Sequence, residues 1–255
     1  MNTVLITGAT SGIGKATACL LAEHSYRLIL TGRRNERLNE IRDELSQQTE
    51  VLALCLDVRD REMVFETLAN LPAPWKEVDV LINNAGNAHG LSYLQEGSID
   101  DWDAMIDINV KGLLYVSRAI LPGMVEREQG HIVNIGSISG KEVYPGGAVY
   151  CASKFAVDAI TQGMRIDLNE HNIRVTAVNP GLVNTEFSMV RFKGDKQRAD
   201  HVYQGMQPLH ENDIAEIILF VITRPPHVTI ADLLVLPTAQ ASATRVHRSS
   251  QPGDE

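Results

Sequence analysis

The sequence predicts an α/β fold: a single doubly wound, Rossmann-type domain with about seven parallel strands and helices on both faces. Three observations predict it. Short, nearly continuous apolar runs recur along the chain, as burial on both faces of a parallel sheet requires. Segments of helical periodicity separate most of them, so strand and helix alternate. A glycine-rich turn, "TGATSGIGKA", follows the first run and opens the first helical segment, where such folds bind phosphate.

Taken in order, "TVLIT" predicts the first strand at 3–7 and the periodic stretch 13–23 the first helix. "RLILT" gives a strand at 27–31, followed by a helix over 36–45. "VLALCL" at 51–56 and "DVLINN" at 79–84 flank a helix over 62–71. The longer helical segment 100–128 is expected to be interrupted by Pro122, which lacks an amide proton and clashes with the preceding turn. "HIVNIG" (131–136), a helix over 150–170, "IRVTAVN" (173–179), a helix over 213–223 stopped by Pro225 and Pro226, and "DLLVLP" (232–237) complete the alternation. Two segments escape it. Residues 185–208 are too long for an ordinary connection and are expected to form a substrate lid. A polar tail from about 242 is expected to be mobile or docked on a neighbouring subunit. No repeat, low-complexity linker or composition break divides residues 1–255, so one catalytic domain is expected.

Composition narrows the function classes. Hydrophobic content of 44% and charged content of 22% suit a water-exposed globule, and a net charge of −9 without Lys/Arg runs argues against nucleic acid. No apolar run approaches the ~18 residues of a membrane helix, and no targeting segment is evident. Cys19, Cys55 and Cys151 have no metal-ligand spacing and cannot all pair, so free thiols in a reducing, cytoplasmic setting are expected and no metal is.

The chemistry-bearing residues cluster after the strands. Gly8, Gly12 and Gly14 allow a tight turn and close backbone approach to a ligand, while Ala9, Thr10, Ser11 and Ile13 complete the cradle. Tyr150 and Lys154, in "VYCASK", fall one helical turn apart on one face. A phenol with an ordinary pKa near ~10 is a poor base at neutral pH, and a cation held beside it would stabilise the phenolate.

These motifs occur together with "NNAG" at 83–86, Asn109 in "DINVKG", Ser137 in "NIGSISG" and "NPG" at 179–181, each between the appropriate elements. Over nearly its whole length the chain therefore resembles the short-chain dehydrogenase/reductase family. The stretches "TGRRNERL", "LPGMVERE", "TEFSMVRFKGD" and "LPTAQ" resemble its NADP-dependent 3-hydroxy acid dehydrogenases, a group that includes enzymes oxidising serine and allo-threonine. The resemblance implies a catalytic set of Tyr150, Lys154, Ser137 and Asn109. Tyr150 would exchange the hydroxyl proton, its pKa lowered by Lys154, and Ser137 would hydrogen-bond the developing carbonyl. Asn109 would hold a water that passes protons to Lys154. Ser137 also reads as a turn-capping hydroxyl, and Asn109 as a polar residue on a partly exposed helix.

For the cofactor, Gly32 stands where an acid would bind a ribose 2′-hydroxyl, and Arg33 and Arg34 follow it. Guanidinium can fork onto a 2′-phosphate, so NADP is expected in place of NAD. The resemblance adds Asp57 and Val58 beside the adenine, and Asn83, Asn84, Ala85 and Gly86 along the cofactor, with Asn84 a direct contact. Pro180, Gly181, Val183 and Thr185 would wrap the nicotinamide, although "GLVNTEFS" is shorter than the group's usual form and leaves the individual contacts open.

The substrate is expected to be a small hydroxy acid. The lid carries Phe187, Met189, Arg191, Phe192 and Lys193, and Arg191 is either a carboxylate clamp or a surface salt bridge. His89 reads as an exposed loop histidine. Competing readings are a broad carbonyl or sugar-alcohol reductase, a 3-oxoacyl-carrier-protein reductase and a non-catalytic nucleotide sensor. The acidic charge and the absence of a glycine-rich end count against the carrier-protein enzyme, and the intact tetrad counts against the sensor. A homotetramer, packed through 100–128 and 150–170, is implied by resemblance alone.

Overall fold

The computed structural model describes residues 2–249. A seven-stranded sheet runs β3-β2-β1-β4-β5-β6-β7, every neighbouring pair parallel. The strands are β1 (Thr3–Thr7), β2 (Arg27–Gly32), β3 (Val51–Cys55), β4 (Val80–Asn83), β5 (Gly130–Ile135), β6 (Ile173–Pro180) and β7 (Asp232–Val235). All seven lie within a residue or two of the apolar runs. Strands β1, β4 and β5 are buried along their entire length, which is why their sequences do not alternate. The chain order reverses between β1 and β4, and a crevice opens at the strands' carboxyl ends there.

Helices α1 (Gly12–Glu23), α2 (Asn35–Leu45) and α3 (Arg61–Ala69) follow the first three strands. The long segment after β4 forms α4 (Ile99–Ile106), a π-helical turn at Asp107–Gly112 and α5 (Leu113–Glu126). Pro122 does not interrupt it: the proline sits inside α5, which continues past the one backbone hydrogen bond that a proline removes. The irregularity lies earlier, where the wide π turn carries Asn109. α6 (Ala148–Asp167) precedes β6. The expected lid contains two short helices, α7 (Phe187–Arg191) and α8 (Lys196–His201), before α9 (Glu211–Ile222).

Two apolar layers enclose the sheet. One, under α1 and α9, includes Ile6, Leu21, Leu28 and Ile218; the other, under α3, α5 and α6, includes Leu5, Leu81, Val116 and Val157. Within the polar tail, Arg248 and Ser249 pack on this chain's own lid segment, and the Ala243 amide donates to Glu142. Gln240 bridges Val246, the Ser249 amide donates to Gly205 O at 2.9 Å, and Arg248 Nη2 donates to Val202 O at 3.0 Å. The rest of the expected tail, 250–255, lies outside the described residues.

Candidate active site

The glycine-rich turn is fixed by backbone sterics. Gly8 and Gly12 have φ of +67° and +51°, a region that disfavours side chains. A Cβ on Gly14 would lie 2.4 Å from the Gly8 carbonyl oxygen, so α1 packs against the turn only with glycine there. The Ala9 amide donates to Thr31 O at 3.0 Å, tying the turn to β2. Thr10, Ser11, Gly12 and Ile13 line one limb of the crevice, where the adenosine is expected, with Arg33, Arg34, Asp57 and Val58. Arg34 is the better placed arginine. Its Nη2 donates to Thr10 Oγ1 at 3.0 Å and to Ser11 Oγ at 2.7 Å. Arg33 is exposed, with Nη1 4.0 Å from Asp57. Burial works to raise the Asp57 pKa, but hydrogen bonds and charge from Arg59, helped by Arg33, leave it lowered.

Of the "NNAG" residues, Asn84, Ala85 and Gly86 line this crevice. Asn83 does not. It is buried in the sheet, its Nδ2 donating to Ser117 Oγ and Asn134 Oδ1, both at 2.9 Å. A β-strand points successive side chains to opposite faces, and Asn83 takes the inner one. Asn84 Nδ2 is directed at Thr7 O (2.8 Å) and Gly8 O (3.1 Å), so its side chain braces the glycine turn.

A second limb of the cleft shares Ile13, Gly86, Thr185 and Phe187 with the first, so the two form one continuous groove. Ser137, Tyr150 and Lys154 line it, together with Pro180, Gly181 and Val183. Asn109 stands behind them, 2% exposed and without access to the cleft. Its Oδ1 accepts from the Asn87 amide at 2.8 Å, and its Nδ2 donates to Asn87 O and Ser153 Oγ. The π turn thus holds the loop after β4 against α6. Ser137 caps a turn, its hydroxyl accepting from the Ser139 amide at 3.1 Å, and it also lines the cleft.

Tyr150 and Lys154 are both buried, and burial is the largest influence on each. The Lys154 ammonium donates to Ile135 O at 2.9 Å, and burial lowers its own pKa to about 8. Burial dominates at Tyr150, raising its phenol well above the ordinary value; Tyr144 adds to the rise, while the Ser137 hydroxyl and the Arg191 charge oppose it.

Arg191 is the lid residue that enters the site. Its guanidinium carbon lies 5.4 Å from the Tyr144 ring centre and 5.6 Å from that of Tyr150. Nε donates to Gly90 O at 3.1 Å, whereas Nη2 is buried without a hydrogen-bond partner. Among the described residues no carboxylate pairs with it, contrary to the surface salt-bridge alternative. Phe187 and Phe192 share the cleft wall; Met189 does not, and Lys193 is turned out to Asp101 at 2.9 Å. His89 sits behind Arg191, half-buried, its pKa lowered by burial.

Tyr144 was not anticipated from the sequence. Its hydroxyl is buried in the cleft without a partner in hydrogen-bond geometry, although Arg191 and Ser139 lie near enough to oppose the burial-driven rise of its pKa. Gln240 was also missed: buried, it accepts from the Leu182 amide at 2.9 Å and so shapes the nicotinamide end. The only signal was the quoted "LPTAQ"; for Tyr144, the "PGG" break after it conceals where the ring points.

Comparison with known proteins agrees with this geometry. A short chain dehydrogenase family model matches residues 2–196. The chain is 48% identical over 248 residues to NADP-dependent 3-hydroxy acid dehydrogenase YdfG of Salmonella typhi, covering 96% of this chain and 99% of the relative. It is 46% identical to sulfoacetaldehyde reductase 2 of Chromohalobacter salexigens, covering 96% and 98%. Among solved structures, the closed form of serine dehydrogenase complexed with NADP+ superposes with a TM-score of 0.91 at 46% identity, covering 97% of this chain and all of that one. The tyrosine and lysine on α6, the glycine turn after β1 and these matches lead to one conclusion: the chain belongs to the short-chain dehydrogenase family.

Proposed function

We propose that the chain is an NADP-dependent oxidoreductase that interconverts the 3-hydroxyl and 3-oxo forms of a small hydroxy acid such as serine, allo-threonine or 3-hydroxypropionate. The observation that carries this reading is the unpartnered Arg191 Nη2 held over Tyr150 in the cleft. A guanidinium fork reads a planar carboxylate through paired hydrogen bonds, and the unpartnered Tyr144 hydroxyl would donate one more. The names of the relatives point the same way. A 3-hydroxy acid and sulfoacetaldehyde each carry an anionic group one carbon removed from the reacting carbon.

The chain's residues fit NADP. The glycine turn packs so closely on Ala85 and on its own Gly8 carbonyl that Gly8 and Gly14 admit no side chain, Gly32 presents no carboxylate, and Arg34 with Thr10 and Ser11 offers cation and hydroxyls for a 2′-phosphate. Bound NADP+ would supply the redox partner and a positively charged ring beside Tyr150. Tyr150 takes the alcohol proton, and returns it in the reverse direction, once cationic charge offsets its burial. Ser137 steadies the carbonyl oxygen. Lys154, buried on the Ile135 carbonyl, holds a proton close to neutral pH and positions the ribose. Asn109 keeps the π turn and α6 in register, the setting for a water beside Lys154.

Residues 185–208 act as the lid. The chain assembles as a homotetramer through α4–α5 and α6, whose outer faces carry exposed Leu114, Phe155 and Ile166. No helix among the described residues is long and apolar enough to cross a membrane, and the three unpaired cysteines suit the reducing cytoplasm.

A panel of 3-hydroxy acids and their methyl esters, assayed with NADP and NAD, tests the proposal. NADP-linked turnover of the acids well above that of the esters is expected. Equal turnover of acid and ester would mean a general carbonyl reductase.

A further inference from the structure

Of the lid residues that line the adenosine end of the crevice, Thr185, Glu186, Phe187 and Val190, only Glu186, immediately before α7, is charged. Its two carboxylate oxygens are divided between two arginines. Arg34 Nη1 donates to Oε2 and Arg37 Nη1 to Oε1, each at 2.8 Å. The other edge of Arg34 is already engaged by Thr10 and Ser11 at the glycine turn. Two guanidinia thus converge on one anion, and that anion belongs to the protein, while the Thr10 and Ser11 hydroxyls hold the far edge of Arg34. The Arg34 hydrogen bond, with Arg37 adding to it, holds the Glu186 carboxyl below its usual pKa against the opposing cost of desolvation, so it is ionised at neutral pH. No acid elsewhere in the lid reaches this end of the groove.

We infer that Glu186 occupies the seat of the cofactor's 2′-phosphate on Arg34 and Arg37, and that the phosphate displaces it when the nucleotide binds. This rests on the proposed NADP reading. A phosphate monoester brings nearly two negative charges near neutral pH. It cannot share a guanidinium pair with a carboxylate at close range without strong repulsion. Phosphate wins the exchange because it carries more charge and more acceptor oxygens, and because a half-exposed ion pair costs little to break. A ribose 2′-hydroxyl has no charge with which to evict the carboxylate, so Glu186 sharpens the choice between the two nicotinamide cofactors. Arg37 thereby becomes a second specificity residue beside Arg34. The exchange also reaches the substrate limb: Glu186 precedes Phe187, whose ring centre stands 5.7 Å from that of Tyr150. Thr185, on the other side, packs within 3.3 Å of where a Cβ on Gly12 would be.

Calorimetric titration of the protein with adenosine 2′,5′-bisphosphate and with 5′-AMP, at fixed salt, tests this without turnover. Glu186→Gln is expected to tighten the bisphosphate about fivefold and to leave 5′-AMP unchanged. Glu40→Gln is the control. Glu40 borders the same depression beside Arg37, yet makes no ion pair among the described residues. Unchanged or weaker bisphosphate binding in Glu186→Gln would overturn the exchange, as would an equal gain from Glu40→Gln, which would reduce the effect to general charge. If the parent protein binds the two nucleotides equally, the NADP reading fails and takes the exchange with it. A parent preference for the bisphosphate that Glu186→Gln does not move overturns the exchange alone.

Discussion

The glycine turn at 7–14 and the lid at 185–208 face each other across the groove, yet different forces hold them. The turn is secured by main chain: positive φ at Gly8 and Gly12, the Gly14 contact and the Ala9 amide bond leave few alternatives. The lid consists of two helices of five and six residues, too short to persist by themselves, pinned by side chains. Arg191 reaches Gly90, Tyr203 bonds Val183 O at 2.8 Å and Ser188 Oγ at 2.7 Å, and Glu186 reaches Arg34 and Arg37. A site fixed by backbone geometry suits a cofactor common to a whole family. One fixed by side chains can be altered a residue at a time to suit a substrate.

This contrast can be broken most forcibly at Gly14. Gly14→Ala places a methyl group against the Gly8 carbonyl, which must shift; kcat/KM should fall about 100-fold, with a lower Tm. Near-parental kinetics would mean the cradle is softer than its geometry indicates. On the lid side, Arg191→Met should cost a hydroxy acid about thirtyfold in kcat/KM, ~2 kcal/mol for a lost charged hydrogen bond, and its methyl ester far less. Equal losses would show that Arg191 does not read the carboxylate.

A smaller effect tests the sheet beneath both. His131, 1% exposed on β5, is bound to Thr176 Oγ1 at 2.8 Å, and burial, with a minor push from Arg174, lowers its pKa to about 3. The folded protein keeps this ring neutral, while the unfolded chain binds a proton below about 6.5. Its contribution is therefore present above pH 6.5 and is lost as pH falls towards 3. Between pH 7.5 and 5.5 the parent should lose about 1.4 kcal/mol more than His131→Asn in urea unfolding. Parallel losses would place the acid sensitivity elsewhere.

What the sequence disclosed follows the same division. The seven strands and the glycine turn were legible because burial on both faces and backbone sterics leave direct marks on residue type. Pro122 misled because a packed helix can continue past the one hydrogen bond that a proline removes, whereas the π turn at Asn109 has no compositional signature. Asn83 and Asn84 are adjacent in the motif, and only the strand's alternation decides which enters the core. The helices α7 and α8 show too few turns for periodicity to appear. Tyr144, Arg37 and Glu186 acquire their significance from partners far away in the chain, Glu186 from arginines about 150 positions earlier. Depth of burial, the largest influence on the Tyr150 phenol in the folded chain, leaves no mark in the spacing of Tyr150 and Lys154.

Proton exchange at Tyr150 is the claim on which the functional reading stands. Tyr150→Phe removes the hydroxyl and preserves the ring that packs on Phe187, so binding of adenosine 2′,5′-bisphosphate should be unaltered. NADP-linked oxidation of the best hydroxy acid should then drop about a thousandfold in kcat. Turnover at the parental rate with the same nucleotide affinity would contradict the account and require a different acid–base group.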